Sequence, residues 1–231
     1  GSGLIALCIG ARAHRLTQAL LAVSAAIGAA ASVAFLVSGS PSIAITAIPG
    51  AYGMRFAVHR LAAVFLVIVY IVTACAAVYG MRYIGGHGSP YRTASIDHLL
   101  AWFVLGMQGV LLAMDPITFM IFWEAMSIAS FFLVMADREE RSMHAAFLYL
   151  VMTHLGAAAI LAGFFILSGG SLTASFASIA FSERGLSSGR ILAAFACFLF
   201  GFGSKAGLVP LHVWLPEAHP QAPSHISALM S

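Results

Sequence analysis

Three ionisable side chains stand in stretches too apolar to solvate them. Glu124 lies in Ile121-Phe122-Trp123-Glu124-Ala125-Met126, Lys205 in Gly201-Phe202-Gly203-Ser204-Lys205-Ala206-Gly207, and His154 in Tyr149-Leu150-Val151-Met152-Thr153-His154-Leu155-Gly156. An ionisable group at bilayer depth costs a few kcal/mol, so it persists where it has a partner or a task. Burial disfavours the charged form of a carboxylate and of an amine alike. A Glu and a Lys within reach of each other can therefore exchange proton occupancy when a neighbouring charge moves. The rival is a static ion pair that only fixes helix packing. On the residues alone the two readings stand level for Glu124, and the glycines around Lys205 tilt that residue toward function. A single His on an apolar helix is more often a hydrogen-bonded interior group than a ligand, yet imidazole titrates near neutral pH and suits a proton relay. His212, His219 and His225 gather in a proline-rich stretch at spacings of seven and six residues. Those spacings fit no compact metal motif, and a polar vestibule is expected there.

The elements that must position these groups are read from long charge-free runs. Leu16 to Met54, Leu61 to Met81 and Ser142 to Ser182 contain no Asp, Glu, Lys or Arg, and about 20 apolar residues suffice to cross a bilayer. Leu4 to Gly10 reads as the tail of a first helix. The basic stretch Arg12, His14, Arg15 reads as a turn into a second, Leu16 to Val37. A link through Gly39, Pro41, Pro49 and Gly50 precedes a third helix, Leu61 to Met81, and Gly85-Gly86-His87-Gly88-Ser89-Pro90 precedes a fourth, Ile96 to Met114. Asp115-Pro116 is a tight connection, and Pro suits a first helical turn, so a fifth helix runs from Pro116 to about Met135. At ~1.5 Å per residue Glu124 then sits ~12 Å along it, too deep for a short side chain to reach water. Asp137 to Arg141 reads as a solvated loop, and Ala145 to Leu167 as a sixth helix with a Gly/Ser-rich exit from Ser168 to Gly189. A seventh starts near Ile191 and is broken by Gly201, Gly203, Gly207 and Pro210. Pro216 to Pro223 reads as a turn, and Ile226 onward as the first turn of an eighth helix.

The balance of residues agrees with that reading. The 231-residue chain is 61% hydrophobic and 8% charged, with a mean hydropathy of +0.98, whereas an ordinary soluble domain carries about 25% charged residues. A soluble globular protein is excluded, and the expected class is an all-α, polytopic transmembrane bundle. The net charge of +3 is too small and too scattered for a nucleic-acid surface. Cys8, Cys75 and Cys197 lie far apart in apolar segments without a Cys-x-x-Cys spacing, so no redox centre, cofactor site or structural metal is expected, only inert buried thiols. Trp102, Trp123 and Trp214 read as packing or interfacial residues. Alternating connections put Arg12, Arg15, Arg82, Arg92, Arg138 and Arg141 on one side and Arg55, Arg60, Arg184 and Arg190 on the other. Cationic residues favour the cytoplasm, which assigns the first set there. The start without Met and the short apolar run Leu4 to Ile9 suggest a chain cut at both ends.

The motifs carry a resemblance. Phe122-Trp123-Glu124-Ala125-Met126-Ser127, then Gly203 to Ala218 with Lys205, Pro210, His212 and Trp214, then Ala222-Pro223-Ser224-His225-Ile226-Ser227-Ala228-Leu229 resemble the antiporter-like membrane subunits of respiratory complex I, Mrp-type sodium/proton antiporters and membrane-bound hydrogenases. His225, the Ala-Asp-Arg-Glu loop and Thr153-His154 are most similar to the hydrogenase-4 and formate hydrogenlyase branch. The resemblance spans about 97–231, which divides the chain into N-terminal transmembrane helices over 1–96 and a partial antiporter-like proton-channel repeat over 97–231, ending before its eighth helix.

The resemblance implies a non-catalytic, proton-translocating subunit of an oxidoreductase complex, with no cofactor of its own. It implies that Glu124 pairs with Lys205 and that a further Lys or His of an eighth helix continues the path; Thr153 and His154 are read as candidate relays, and His225 is counted with them among the proton-translocating residues. The implied partners are the lipid bilayer and the membrane and peripheral subunits of a hydrogenase or complex I-like assembly, in a bacterial or archaeal cell membrane. A sodium/proton antiporter subunit using the same pair is one rival, and a structural fragment that packs without conducting is another.

Overall fold

A computed structural model describes residues 2–40, 42–45, 53–83, 90–137, 139–182 and 185–231. Nine helices and one two-stranded sheet are described: α1 (Ser2–Ser38), β1 (Ser42–Ile45), β2 (Phe56–His59), α2 (Arg60–Tyr83), α3 (Pro90–Leu112), α4 (Pro116–Val134), α5 (Glu140–Leu167), α6 (Phe176–Ser182), α7 (Ser188–Ala206), α8 (Leu215–Gln221) and α9 (Ser224–Met230). Six spans among them are long and apolar enough to cross a membrane: Ala13–Ser38, α2, Thr93–Leu112, α4, α5 and Ser188–Gln221. The sequence-read links at Pro41, Pro49 to Gly50, and Gly85 to Ser89 lie outside the described residues, as do Arg138 and the side chain of Cys8.

The amphipathicity is reversed relative to a soluble helix. On α1, Leu16, Leu20, Val23 and Ile27 are exposed, while His14, Gln18, Ala25 and Ser32 are buried. Polar groups go inward because lipid cannot satisfy them, and apolar groups go outward at no cost. Small residues let the backbones approach. A Cβ on Gly201 of α7 would stand 2.6 Å from the Gly156 carbonyl oxygen of α5, and a Cβ on Gly106 of α3 would stand 2.9 Å from the Met126 Cα of α4. The buried core runs through α3, α4, α5, α8 and α9, with Leu100, Leu133, Tyr149, Ile160 and Ile226 fully enclosed.

Several boundaries differ from the sequence reading. α1 is one continuous helix of 37 residues, so Arg12, His14 and Arg15 form no turn. The link before α2 carries an antiparallel β pair, Ser42 opposite His59 through Ile45 opposite Phe56. Of the acidic-basic stretch, Asp137 closes a short 3-10 turn over Met135–Asp137, and Glu140 and Arg141 already belong to α5. α6 interrupts the Gly/Ser-rich exit. α7 does end early, capped by Gly207 at φ +73°, and the chain resumes as a 3-10 turn over Leu211–Trp214 and then α8. Pro216 stands in the first turn of α8, where its missing N–H is harmless, so this proline-rich stretch is helical. Cys75 is exposed and Cys197 partly so, which corrects the expectation of buried thiols.

The Asp115-Pro116 boundary is as expected, and its cause is visible. Asp115 caps α4 by accepting from the Thr118 backbone N–H at 2.9 Å and from the Thr118 hydroxyl at 2.8 Å. At this same end of the bundle the connectors are tied together. The Met114 N–H donates to the Arg55 carbonyl, the Phe176 N–H to the Met114 carbonyl, and the Arg55 guanidinium to the Thr173 carbonyl.

Candidate functional site

The site is built where α4, α5 and α7 meet, and it has two branches. In the first, Glu124 of α4 faces His154 of α5, with Oε2 3.2 Å from Nε2. His154 Nδ1 lies 2.9 Å from the Leu150 carbonyl. A carbonyl only accepts, so Nδ1 carries a hydrogen. A further proton between them would sit on Nε2 as imidazolium beside carboxylate or on Oε2 as acid beside neutral imidazole. The contact offers such a proton two positions. It borders a cleft of about 640 Å³ lined by Met120, Ile121, Ala125, Ile128 and Leu161, and the side chains are 32% (Glu124) and 45% (His154) exposed.

In the second branch, Lys205 Nζ in the last turn of α7 donates to the Tyr149 hydroxyl at 2.6 Å. It also stands 4.9 Å from the centre of the Tyr149 ring and 6.0 Å from that of Trp123, positions that favour a cation. The Tyr149 oxygen is 2.6 Å from Ser130 Oγ, whose own hydrogen points to the Met126 and Ser127 carbonyls at 2.8 and 3.0 Å. Ser130 is therefore the acceptor for Tyr149. All donors run one way, from ammonium to phenol to hydroxyl to the backbone of α4. Such a chain ends on an acceptor with no further site, so it steadies the ammonium and offers its proton no exit.

The break after α7 is itself satisfied. The Trp214 indole N–H donates to the Ser204 carbonyl at 2.8 Å, the Gly207 and Leu208 N–H groups both point to the Gly203 carbonyl, and Ser204 Oγ donates to the Met152 carbonyl of α5 at 3.0 Å. Orphan carbonyls of a helix end, left unpaired in a membrane, would cost several kcal/mol each.

The sequence-read residues are thus distributed as follows. Glu124 and His154 touch, while Glu124 and Lys205 are each held by another partner and make no direct contact with one another. Thr153 is buried, but its hydroxyl donates to the Leu150 carbonyl of its own helix at 3.0 Å. His225 lies beside Tyr79 and Tyr83 of α2. His219 pairs with Ser227 at 2.9 Å, so His212, His219 and His225 have separate surroundings. Among the described residues no cluster of His, Cys, Asp or Glu could hold a metal. Tyr149 and Ser130 escaped the sequence reading. Tyr149 falls on the same helical face as Thr153 and Gly156, all buried, and that periodicity was the available signal.

Six apolar spans carrying paired ionisable side chains define the class as a polytopic helical membrane protein. Residues 113–231 match the family model described as NADH:quinone oxidoreductase/Mrp antiporter, TM, and the chain belongs to that family. It is 38% identical over 166 residues to hydrogenase-4 component B of Escherichia coli (strain K12), covering 72% of this chain and 24% of that protein. It is 27% identical over 181 residues to a subunit of the Na(+)/H(+) antiporter of Bacillus subtilis (strain 168), covering 77% of this chain and 36% of that protein. The chain therefore spans a quarter to about a third of the length of these relatives. Its fold matches a chain of the membrane-bound sulfane sulfur reductase, an archaeal respiratory membrane complex, with a TM-score of 0.77 at 19% identity, over 96% of this chain and 48% of the other.

Proposed function

We propose that this chain is part of a proton-translocating membrane subunit of a hydrogenase or complex I-like assembly in a prokaryotic cell membrane. The carrying observation is that an acid and an amine at membrane depth are each held by a group that can change its proton: Glu124 by His154, and Lys205 by Tyr149. The one-way hydrogen-bond chain on Lys205 makes the observed arrangement a holding state. Proton release requires the ammonium to leave Tyr149, and the helix is already interrupted at Gly207, two residues on. The shared hydrogen of the Glu124–His154 pair shifts between Oε2 and Nε2 without net movement of either side chain, and the pair exchanges protons with water in the cleft that it borders. The buried Trp123 N–H and Ser127 hydroxyl have no protein partner. They lie one turn apart on α4 and offer water a foothold between the branches. In this reading residues 97–231 form part of one channel repeat, and Thr153 serves packing rather than relay.

The likeness to an antiporter subunit keeps sodium exchange as the rival. A hard cation is held by several oxygens, and Glu124 is instead flanked by an imidazole, which favours the proton. The test uses the full-length parent complex in proteoliposomes. Glu124→Gln and Lys205→Ala are expected to bring proton uptake to background. Lys205→Arg is expected to do the same, because guanidinium does not release its proton in this range. Electron transfer to a soluble acceptor should persist in all three, and wild-type uptake should be independent of sodium. Normal uptake by Lys205→Arg would make Lys205 a static charge and overturn the proposal.

A further inference from the structure

A second polar cluster stands outside the Glu124 and Lys205 branches, assembled from three helices and a fourth that closes it. His14 and Gln18 come from α1, the Gly80 carbonyl from α2, Asp97 from α3 and His225 from α9, and the four side-chain residues are at most 4% exposed. His14 Nδ1 lies 2.9 and 2.8 Å from the two Asp97 oxygens, and Nε2 lies 3.1 Å from the Gly80 carbonyl. Gln18 Nε2 donates to Asp97 Oδ1 at 2.7 Å. The reversed amide would set oxygen against carboxylate, so this orientation is fixed by charge.

Proton counting follows from these partners. The Gly80 carbonyl only accepts, so His14 Nε2 carries a hydrogen. Asp97 sets both oxygens within 2.9 Å of His14 Nδ1 and accepts from Gln18 on one of them, the arrangement of a carboxylate that accepts from both neighbours. His14 Nδ1 then carries a hydrogen as well, and His14 is an imidazolium paired with a carboxylate.

The rest of the cluster is unfinished. Gln18 Oε1 and both ring nitrogens of His225 are buried without a protein partner, whereas nearly all buried polar groups have one. Two of the orphans meet at one place. A Cβ on Gly80 would stand 3.4 Å from Gln18 Oε1 and 3.4 Å from His225 Cδ2, the ring carbon bonded to Nε2. A ligand there must donate to Gln18 Oε1 and either donate to or accept from one imidazole nitrogen, which is the chemistry of water. Tyr79 and Tyr83 flank the His225 ring from α2, and His219 of α8 is occupied by Ser227.

We propose that His14, Gln18, Asp97 and His225 form a buried protonation site, with a water molecule over Gly80 between Gln18 and His225. Its proton rests on His14. The His14 hydrogen at Nε2 is held by the Gly80 carbonyl, Asp97 stays ionised, and the water completes the hydrogen bonds of Gln18 and of a neutral His225. The site does not depend on the roles assigned to Glu124 and Lys205, and its test reads protonation rather than transport.

The experiment is solid-state NMR of the protein in lipid bilayers at neutral pH, with ring-15N histidine. The His14 resonances, assigned by their loss in His14→Gln, should show both nitrogens protonated, and Asp97→Asn should return His14 to a neutral tautomer. The His225 nitrogens, assigned by loss in His225→Gln, should receive magnetisation from water protons. Gly80→Ala covers the case in which Asp97→Asn fails to fold. It should abolish the water transfer at His225 and leave the His14 imidazolium intact. A neutral His14 in the unaltered protein, or no water transfer at its His225, overturns the proposal. So does water transfer that survives Gly80→Ala.

Discussion

Tyr149 is the residue on which the charge of Lys205 rests. Its phenol accepts from the ammonium and passes its own hydrogen to Ser130, and its ring faces the cation. Tyr149→Phe should leave a half-buried ammonium with the ring but without its acceptor, a loss of ~1 kcal/mol. In the full-length complex the rate of proton uptake should change, because release from Lys205 no longer waits on that bond, while electron transfer to a soluble acceptor should not. Thermal unfolding in detergent and uptake in vesicles measure the two effects, and unchanged values of both would remove Tyr149 from the site. Glu124, His154 and Lys205 were legible because each is an ionisable group in a stretch that cannot solvate it. Tyr149 and Ser130 were not, since a phenol and a hydroxyl are ordinary in apolar helices and only the third dimension puts them in series. His14 and Asp97 show the same limit more sharply. They are 83 positions apart, and nothing local in either segment reports that one neutralises the other.

That neutralisation explains the largest difference between expectation and structure at the level of elements. Three basic residues within four positions argue for a turn, yet α1 passes straight through them because His14 is paired inside the bundle with Asp97 of α3. The helices whose ends are encoded locally fared differently. α4 begins at Pro116 because Asp115 caps it, and α7 ends where Gly207 takes a left-handed conformation. Contacts between helices follow from glycine. On α7, a Cβ at position 201 would lie 2.5 Å from Ile160 Cγ1 and 2.6 Å from the Gly156 oxygen, and backbone oxygen cannot yield as a side-chain tip can. Gly201→Ala should force α5 and α7 apart and destabilise the protein by ~1–3 kcal/mol, the usual cost of overpacking. It should also break the Lys205 to Tyr149 bond, which spans the same two helices. A melting temperature equal to that of the unaltered protein would refute the close approach.

For the molecule as a whole, the alternation of connections implies that the residues after α1, α3 and α5 share one side, and the backbone bonds among Arg55, Met114 and Phe176 bring those connectors together. Single cysteines at Ser171 and Ser187, in a protein with Cys8, Cys75 and Cys197 changed to Ser, should react with an impermeant maleimide from one face of the membrane. A cysteine at Glu139 should react from the opposite face, and labelling of all three from one face would contradict the arrangement of spans. The apolar spans themselves were readable from charge-free runs, whereas the β pair in the first link was not, because four-residue strands within a Gly/Pro-rich link leave no periodicity to detect. The joined end also sets how motion is distributed. α7 departs from it at Ser188 and carries Lys205 seventeen residues on, ~25 Å away along the axis. A tilt of only ~5° about that fixed end displaces the lysine by ~2 Å, about the difference between a hydrogen bond and none. Any tilt of α7 about its first turn would act as a lever whose long arm ends at the ammonium.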